Sequence, residues 1–369
     1  MSSNKIVLST GLTGKGELTT ISTTVFPQIT DNQILLRGVA YAANPTDWKH
    51  TVLQWGYSGS IVGSDASGIV TQIGKNVKGF EIGDYVSTTL RGNYSIDKGG
   101  FAEYVIADPP TTIKYDKSTF SSEPLPVGSF PASIINTFEG AAAITLSLST
   151  VGLSLSHSLK IKPTKESNSS KYILIWGGAT SAGIVAIQIA KSVYGLKVIT
   201  TASKKHHEFL KSLGADATFD YRDSNVIDQI KVFAQGKIYY ALDTVSTIET
   251  YQQTYDATAG SPTESYDNLL FLPREAIKTD PENKARFSGT IVYLANGEPQ
   301  ELGTVVYPTQ ELLDDYNQFW YELLPPFLKD LKTPNLRVLK PGFESANEAL
   351  ELLREDKVSA EKVVFRYQS

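Results

Sequence analysis

The residues with the most specific chemical spacing lie between Lys171 and Ser192, in KYILIWGGATSAGIVAIQIAKS. A short apolar run ending at Trp176 breaks at Gly177 and Gly178, passes the small residues Ala179 to Ala182, and resumes at Gly183 as an apolar helical pattern. That order predicts a buried strand, a tight turn and a helix start. Glycines admit an anion close to the backbone, and a helix N-terminus offers unpaired N–H groups at the positive end of its dipole. Such a loop suits a pyrophosphate. The spacing departs from G-x-G-x-x-G, because Thr180 replaces the middle glycine in Gly178-x-Thr180-x-x-Gly183. Glycine turns before helices are common in parallel α/β proteins, so the surrounding elements decide.

Those elements support a nucleotide site. Lys197 to Thr201 predicts a second strand and Lys204 to Leu213 a helix ending at Gly214. A third strand follows at Ala217 to Tyr221, a helix at Asp223 to Phe233, and a strand at Ile238 to Leu242 ending on Asp243. Strands alternating with helices at this interval read as βαβ units and a parallel sheet. A cofactor with a free ribose 2′-OH is usually held by an acid about 20 positions after the loop. Here Ala202-Ser203-Lys204-Lys205-His206-His207 stands there, with no carboxylate before Glu208. A hydroxyl and two lysines favour a 2′-phosphate, hence NADPH over NADH; the same lysines also read as a solvated helix face.

The chain has 369 residues, enough for about two domains. Net charge −5 gives no basic footprint, which disfavours nucleic acid as a partner. No apolar run approaches the ~20 residues of a membrane span, and MSSNKIVLSTG lacks the apolar core of a signal peptide. The expectation is a cytoplasmic protein with a small-molecule substrate. There are no cysteines and only four histidines, which disfavours a metal site and excludes a cysteine nucleophile.

The first ~135 residues are β-rich and turn-rich, with strand-like runs at Lys5 to Ser9, Gln33 to Ala42, Gly68 to Ile73 and Tyr85 to Leu90. Gly63 to Val86 interleaves glycines with Ile, Val and Phe at strand spacing, as in a small barrel. Pro131 to Ile161 reads as helical. After Asp243 come a helix at Ile248 to Thr258, a polar surface excursion at Ser261 to Ala285, and a buried strand at Thr290 to Leu294. Glu311 to Leu331 is amphipathic, Glu344 to Leu353 is helical, and Lys362 to Tyr367 closes the chain as a strand. A closing strand this far from the barrel suggests a discontinuous domain.

Several segments together carry a family resemblance: AYAANPTDWK (40–49), GSDASGIVTQIGKNVKGFEIGDYV (63–86), GGFAEYV (99–105), the glycine loop, and SLGADATFDYRD (212–223). In these the chain resembles the medium-chain dehydrogenase/reductases, in their zinc-independent, quinone-oxidoreductase-like branch. GGATSAG, ATFDYRD, YALD and SAEKVVFRY are most similar to fungal trans-acting enoyl reductases and their yeast relatives. The resemblance implies a GroES-like β-barrel domain (1–135 and 320–369) around a Rossmann domain (136–319), with the active site in the cleft between them and a monomeric or homodimeric protein. Zinc-dependent members have a cysteine at position 44, a histidine at 64 and a cysteine near 146; this chain has Asn44, Ser64 and Leu146, and no four-cysteine lobe. The implied cofactor is NADPH, with NADH as the alternative, and no zinc.

The resemblance also assigns residues. Lys49 would act beside the nicotinamide, as a donor to the substrate oxygen or to the ribose, against the plain reading of a surface lysine on the Asn44–Lys49 turn. Asn44 would donate its amide, and Tyr57 or solvent would supply the proton. Pro45, Asp47 and Thr150 would line the cofactor; Asp47 also reads as a turn-fixing residue. Gly178, Thr180, Ser181, Ala182 and Gly183 map to the pyrophosphate, and Ser203, Lys204 and His206 to the 2′-phosphate. Tyr221 would stack near the adenosine, unless it is a core residue. Asp243, Val245, Leu294, Ala295 and Asn296 would lie at strand ends near the nicotinamide, with Lys362 a further candidate. Without a metal, an acceptor that spreads its developing charge is favoured: an enone, enoyl group or quinone. Aldehyde or carbonyl reduction is the alternative, and a non-catalytic NADPH-binding protein the second.

Overall fold

The computed structural model describes residues 3–11, 16–53, 55–302 and 304–368. They divide into a unit comprising Met1–Leu146, Gln300–Val306 and Lys332–Ser369, and another comprising Ser147–Pro299 and Tyr307–Leu331.

In the first unit, the Ile34–Ala42 strand (ILLRGVAYA) is apolar and buried on both faces except at Arg37 and half-buried Val39, and becomes the hub of an eight-stranded sheet. It pairs antiparallel with Asp65–Ile73 along its length, with Tyr104–Ala107 over its first half, and with Glu361–Arg366 over its last three residues. Irregular register at Leu35/Leu36 and Gly38/Ala40 marks bulges, which bend a sheet toward closure. Tyr41, Phe101, Phe343 and Phe365 fill the interior, with ring centroids 5.0 to 5.9 Å apart. The Glu361–Arg366 strand is buried from Lys362 onward, so both its cations need internal partners. Arg366 finds one in Glu139, Nε to Oε1 at 2.6 Å.

The second unit holds six parallel strands in the order Ala217–Phe219, Lys197–Thr201, Tyr172–Trp176, Ile238–Asp243, Ser265–Asn268, Arg286–Gly289. Strands covered on both faces read as continuous apolar runs, as YILIW does. The chain winds outward from Tyr172–Trp176, then returns to its other side with Ile238–Asp243. This reversal is the place where doubly wound sheets bind ligands, beyond the carboxyl ends of the strands. The barrel and the doubly wound α/β sheet expected from the sequence are both present.

Four local expectations are corrected. Ser265–Asn268 is a fully buried interior strand, not part of a surface excursion. Its polar residues misled because they find partners inside the protein: Ser265 Oγ donates to the Leu159 carbonyl at 2.8 Å, Asn268 Nδ2 to the Leu272 carbonyl at 3.0 Å, and Asp267 Oδ2 accepts from Ser154 and Thr290. The run from Thr290 to Leu294 is not a strand; the strand is Arg286–Gly289, and Val292–Asn296 is a 3₁₀ turn. The turn read around Asn44 to Lys49 is a helix, Pro45–Val52, with proline at its start and Asp47 accepting the Asn44 N–H at 2.8 Å. Finally, Phe138–Ser158 is 21 residues long and apolar enough to span a membrane, contrary to the expectation, yet 94% of that apolar stretch is buried inside the protein. Burial makes it a core helix.

Candidate active site

The glycine loop sits at the end of the Tyr172–Trp176 strand. Gly177 has φ +86°, a left-handed turn that glycine adopts without strain. A Cβ on Gly183 would lie 2.3 Å from the Gly177 carbonyl oxygen, so glycine is what lets the Ser181–Ser192 helix start against the strand end. Thr180 caps that helix: its Oγ1 accepts the Gly183 N–H at 2.9 Å and donates to Thr244 Oγ1 at 2.8 Å. The threonine in place of the middle glycine is thus a capping residue. Among the described residues no protein acceptor takes the N–H groups of Ser181 and Ala182. These two amides, at the positive end of a twelve-residue helix, fit an anion. Gly178 is buried beside them, its N–H donating to the Thr201 carbonyl at 2.9 Å.

At the end of the neighbouring strand, Ser203 is half-buried and Lys204 exposed. Ser203 Oγ lies 3.5 Å from the hydroxyl of Tyr221, which is 46% exposed and so no core residue. Burial, with Lys205 and His207 nearby, holds the His206 imidazole below its usual value, making it a weak cation for a phosphate. The expectation that no acid stands here fails in space. Asp220 Oδ2 accepts the Lys204 N–H at 3.2 Å, and Arg222 grips the same carboxylate. Neither residue stands out as a site residue in the sequence, because both arrive from the next strand.

The strand-end residues divide. Asp243 is fully buried and spends both carboxylate oxygens locally, on the Val245 and Ser246 N–H groups at 2.9 Å and on Thr250 Oγ1 at 2.7 Å. It shapes the turn. Val245 is 39% exposed beside Gly177. Leu294 and Ala295 are buried and Asn296 half-buried in the 3₁₀ turn, with Asn296 Oδ1 accepting the Glu298 N–H. Thr150 is half-buried on the Thr145–Leu153 helix.

The first unit gathers Asn44, Asp47, Ser64, Asp65, Leu146 and Lys362 into one buried network. Asn44 Nδ2 donates to Asp65 Oδ2 at 2.9 Å, and the Leu146 N–H to Asp65 Oδ1 at 2.7 Å. Ser64 Oγ donates to Asp47 Oδ1 at 2.7 Å. The Lys362 ammonium donates to Asn44 Oδ1 and stands 3.2 Å from Asp65 Oδ2. Burial pushes Asp47 up to about 7, against its hydrogen bonds from Ser64 and Asn44. Burial also raises Asp65, with Lys362 the main opposing influence. Asn44, the expected amide donor, and Lys362, the expected cofactor contact, are thus hydrogen-bonded to each other within this network.

Two candidates remain on the Pro45–Val52 helix and beyond it. Pro45 is exposed at the first helical position. Lys49 is half-buried, its ammonium 5.9 Å from the Trp48 ring centre and without an ion-pair partner among the described residues. Burial lowers its pKa. Tyr57 is exposed; its hydroxyl donates to Glu301 at 3.3 Å, and that carboxylate raises its pKa. A tyrosine so placed is a poor proton donor, and no contact joins it to Asn44 or Lys49 among the described residues.

Residues 30–117 match the alcohol dehydrogenase GroES-like domain, and residues 182–261 match the zinc-binding dehydrogenase family. The chain is 37% identical to the trans-enoyl reductase TOXD of Cochliobolus carbonum over 68% of its length and 79% of that protein's. The chain belongs to the medium-chain dehydrogenase/reductase family. The quinone oxidoreductase of Coxiella burnetii shares its fold, with TM-score 0.66, 23% identity and 99% of each chain covered. So does mycobacterial Rv1454c, solved with NADPH, with TM-score 0.67, 18% identity and coverage of 99% of this chain and 100% of that one. This member of the family is an oxidoreductase.

The zinc implied by one of the matched families does not fit the residues present. A zinc site needs lone pairs converging on one point. Positions 44, 64 and 146 instead supply an amide N–H, a hydroxyl and a backbone N–H, all already donated to Asp47 or Asp65, with a lysine ammonium among them. Among the described residues, no group of three or more His, Cys, Asp or Glu side chains could hold a metal ion.

Proposed function

We propose that this oxidoreductase is an NADPH-dependent, zinc-independent reductase of activated double bonds, in enones, enoyl groups or quinones. The observation that supports this reading is the Lys362–Asp65–Asn44 network, an internally paired ammonium beside position 44, which the resemblance makes a zinc-ligand position in zinc-dependent members. A simple ketone needs its oxygen strongly polarised before it accepts hydride. A conjugated acceptor spreads the developing charge, so a modest hydrogen-bond donor suffices. Lys49 is that donor: half-buried, with no carboxylate partner among the described residues, and a stronger hydrogen-bond donor for its lowered pKa. The nicotinamide, when bound, supplies the hydride. The Ser181 and Ala182 amides hold the pyrophosphate, and Ser203 and Lys204 the 2′-phosphate. Solvent completes the protonation, since Tyr57 is engaged with Glu301. The relatives, a trans-enoyl reductase and a quinone oxidoreductase, support the same substrate class.

The test is NADPH consumption with a 2-enal, a quinone and a saturated aldehyde, followed by identification of the enal product. The expected product is the saturated aldehyde. Allylic alcohol, or turnover confined to the saturated aldehyde, overturns the assignment.

A further inference from the structure

The acid missing after the Lys197–Thr201 strand is supplied by the strand beside it. Asp220 directly follows Ala217–Phe219, which pairs in parallel with Lys197–Thr201, Phe219 opposite Thr201. Its carboxylate reaches across to accept the Lys204 N–H at 3.2 Å. A carboxylate at this point, past the end of the second strand of a doubly wound sheet, is suited to hydrogen-bond a ribose 2′-OH and to repel a 2′-phosphate. By itself it argues for NADH.

Arg222 reverses that argument. Its Nε donates to Asp220 Oδ1 at 2.9 Å and its Nη2 to Oδ2 at 2.6 Å, a two-point grip, while its own backbone N–H donates to Oδ1 at 3.1 Å. This geometry matches both planar groups and holds the guanidinium in one orientation. The grip uses two of the five guanidinium N–H donors, and the residue is exposed, so the others face outward. Ser203 and Tyr221, their hydroxyl oxygens 3.5 Å apart, join the same two loops.

We propose that Arg222 is the residue that sets the choice of cofactor. By neutralising Asp220 and offering its remaining donors to a second anion, it converts an acid-bearing ribose site into one that accepts a 2′-phosphate. The inference rests on the reading of this unit as the dinucleotide binder. Without Arg222, the bare Asp220 carboxylate favours a 2′-OH. Without both side chains, selection falls to Ser203 and Lys204 alone.

Calorimetric titration of the full chain with NADPH and with NADH tests this in wild type, Arg222→Ala, Asp220→Asn and the double variant. Arg222→Ala is expected to weaken NADPH binding by about tenfold or more while NADH binding stays the same or tightens. Adding Asp220→Asn is expected to recover most of the loss, which simple removal of a positive charge would not do. An unchanged ratio of the two affinities in Arg222→Ala, equal loss of both cofactors, or no recovery in the double variant overturns the proposal. Wild type that binds neither nucleotide refutes the reading of the unit instead, a separate result.

Discussion

The Lys362 ammonium stands 3.2 Å from Asp65 Oδ2, and both side chains are buried. Removing one partner leaves the other charge stranded, which typically costs about 3–5 kcal/mol, whereas replacing both with apolar groups is often neutral or better. Lys362→Met should therefore be severely destabilised in urea denaturation at pH 7, and Lys362→Met with Asp65→Asn, which removes the stranded charge yet keeps an acceptor for the Leu146 N–H, should recover part of the loss. A single variant as stable as wild type would show that the pair does not hold the barrel.

Lys49 is expected to act on the reaction rather than on the fold. If its ammonium stabilises the charge developing on the substrate oxygen, Lys49→Ala should lose about 10²-fold or more in turnover, as when one such donor is removed elsewhere. NADPH affinity and urea stability should stay near wild type. Undiminished turnover would return Lys49 to the role of a surface residue.

Asp267 couples stability to pH. Burial pushes its carboxyl up to about 6 although Ser154 and Thr290 donate to Oδ2 at 2.6 Å each, and Oδ1 has no partner among the described residues. A carboxyl raised in the folded state contributes stability that is present below its unfolded value near 4 and is lost as pH climbs through about 6. Each pH unit separating the folded and unfolded values is worth about 1.4 kcal/mol, which bounds the contribution at about 3 kcal/mol. Unfolding free energies measured from pH 4 to 7 should fall less steeply in Asp267→Asn. Identical slopes would mean that the carboxyl is not held neutral.

Much of the fold was legible because its signals are local. YILIW followed by two glycines could only be a buried strand and a turn, and the alternation after it fixed the parallel sheet. The polar strand Ser265–Asn268 was not legible: SYDN becomes an interior strand only because partners such as Leu159, Ser154 and Thr290 arrive from other elements to satisfy it. The site shows the same division. The turn at Thr180, Ser181 and Gly183 follows from spacing, but Asp220 and Arg222 reach the Lys204 backbone from a neighbouring strand, and Asn44 meets Lys362 across 318 positions. Contacts of that separation carry no sequence period to detect.

Gly183→Ala tests the loop. The added Cβ would lie 2.3 Å from the Gly177 oxygen and 2.8 Å from the Gly178 Cα, both backbone atoms that cannot swing aside. Overpacking of this kind costs about 1–3 kcal/mol, and the resulting displacement falls on the Ser181 and Ala182 amides. NADPH affinity should drop together with thermal stability, read by calorimetry and by thermal melting. A variant with unchanged affinity for the nucleotide would place the phosphate elsewhere.

The barrel sheet joins strands from opposite ends of this chain: Val364 pairs with Ala42 and Phe365 with Tyr41. During synthesis, therefore, the Ile34–Ala42 strand emerges long before the neighbour that will cover its flank, while the parallel sheet of the other unit can assemble in the interval. An apolar strand end waiting with bare amides and carbonyls is a template for stray pairing. That exposure is confined to Ala40, Tyr41 and Ala42, and it ends when Glu361–Arg366 slots home.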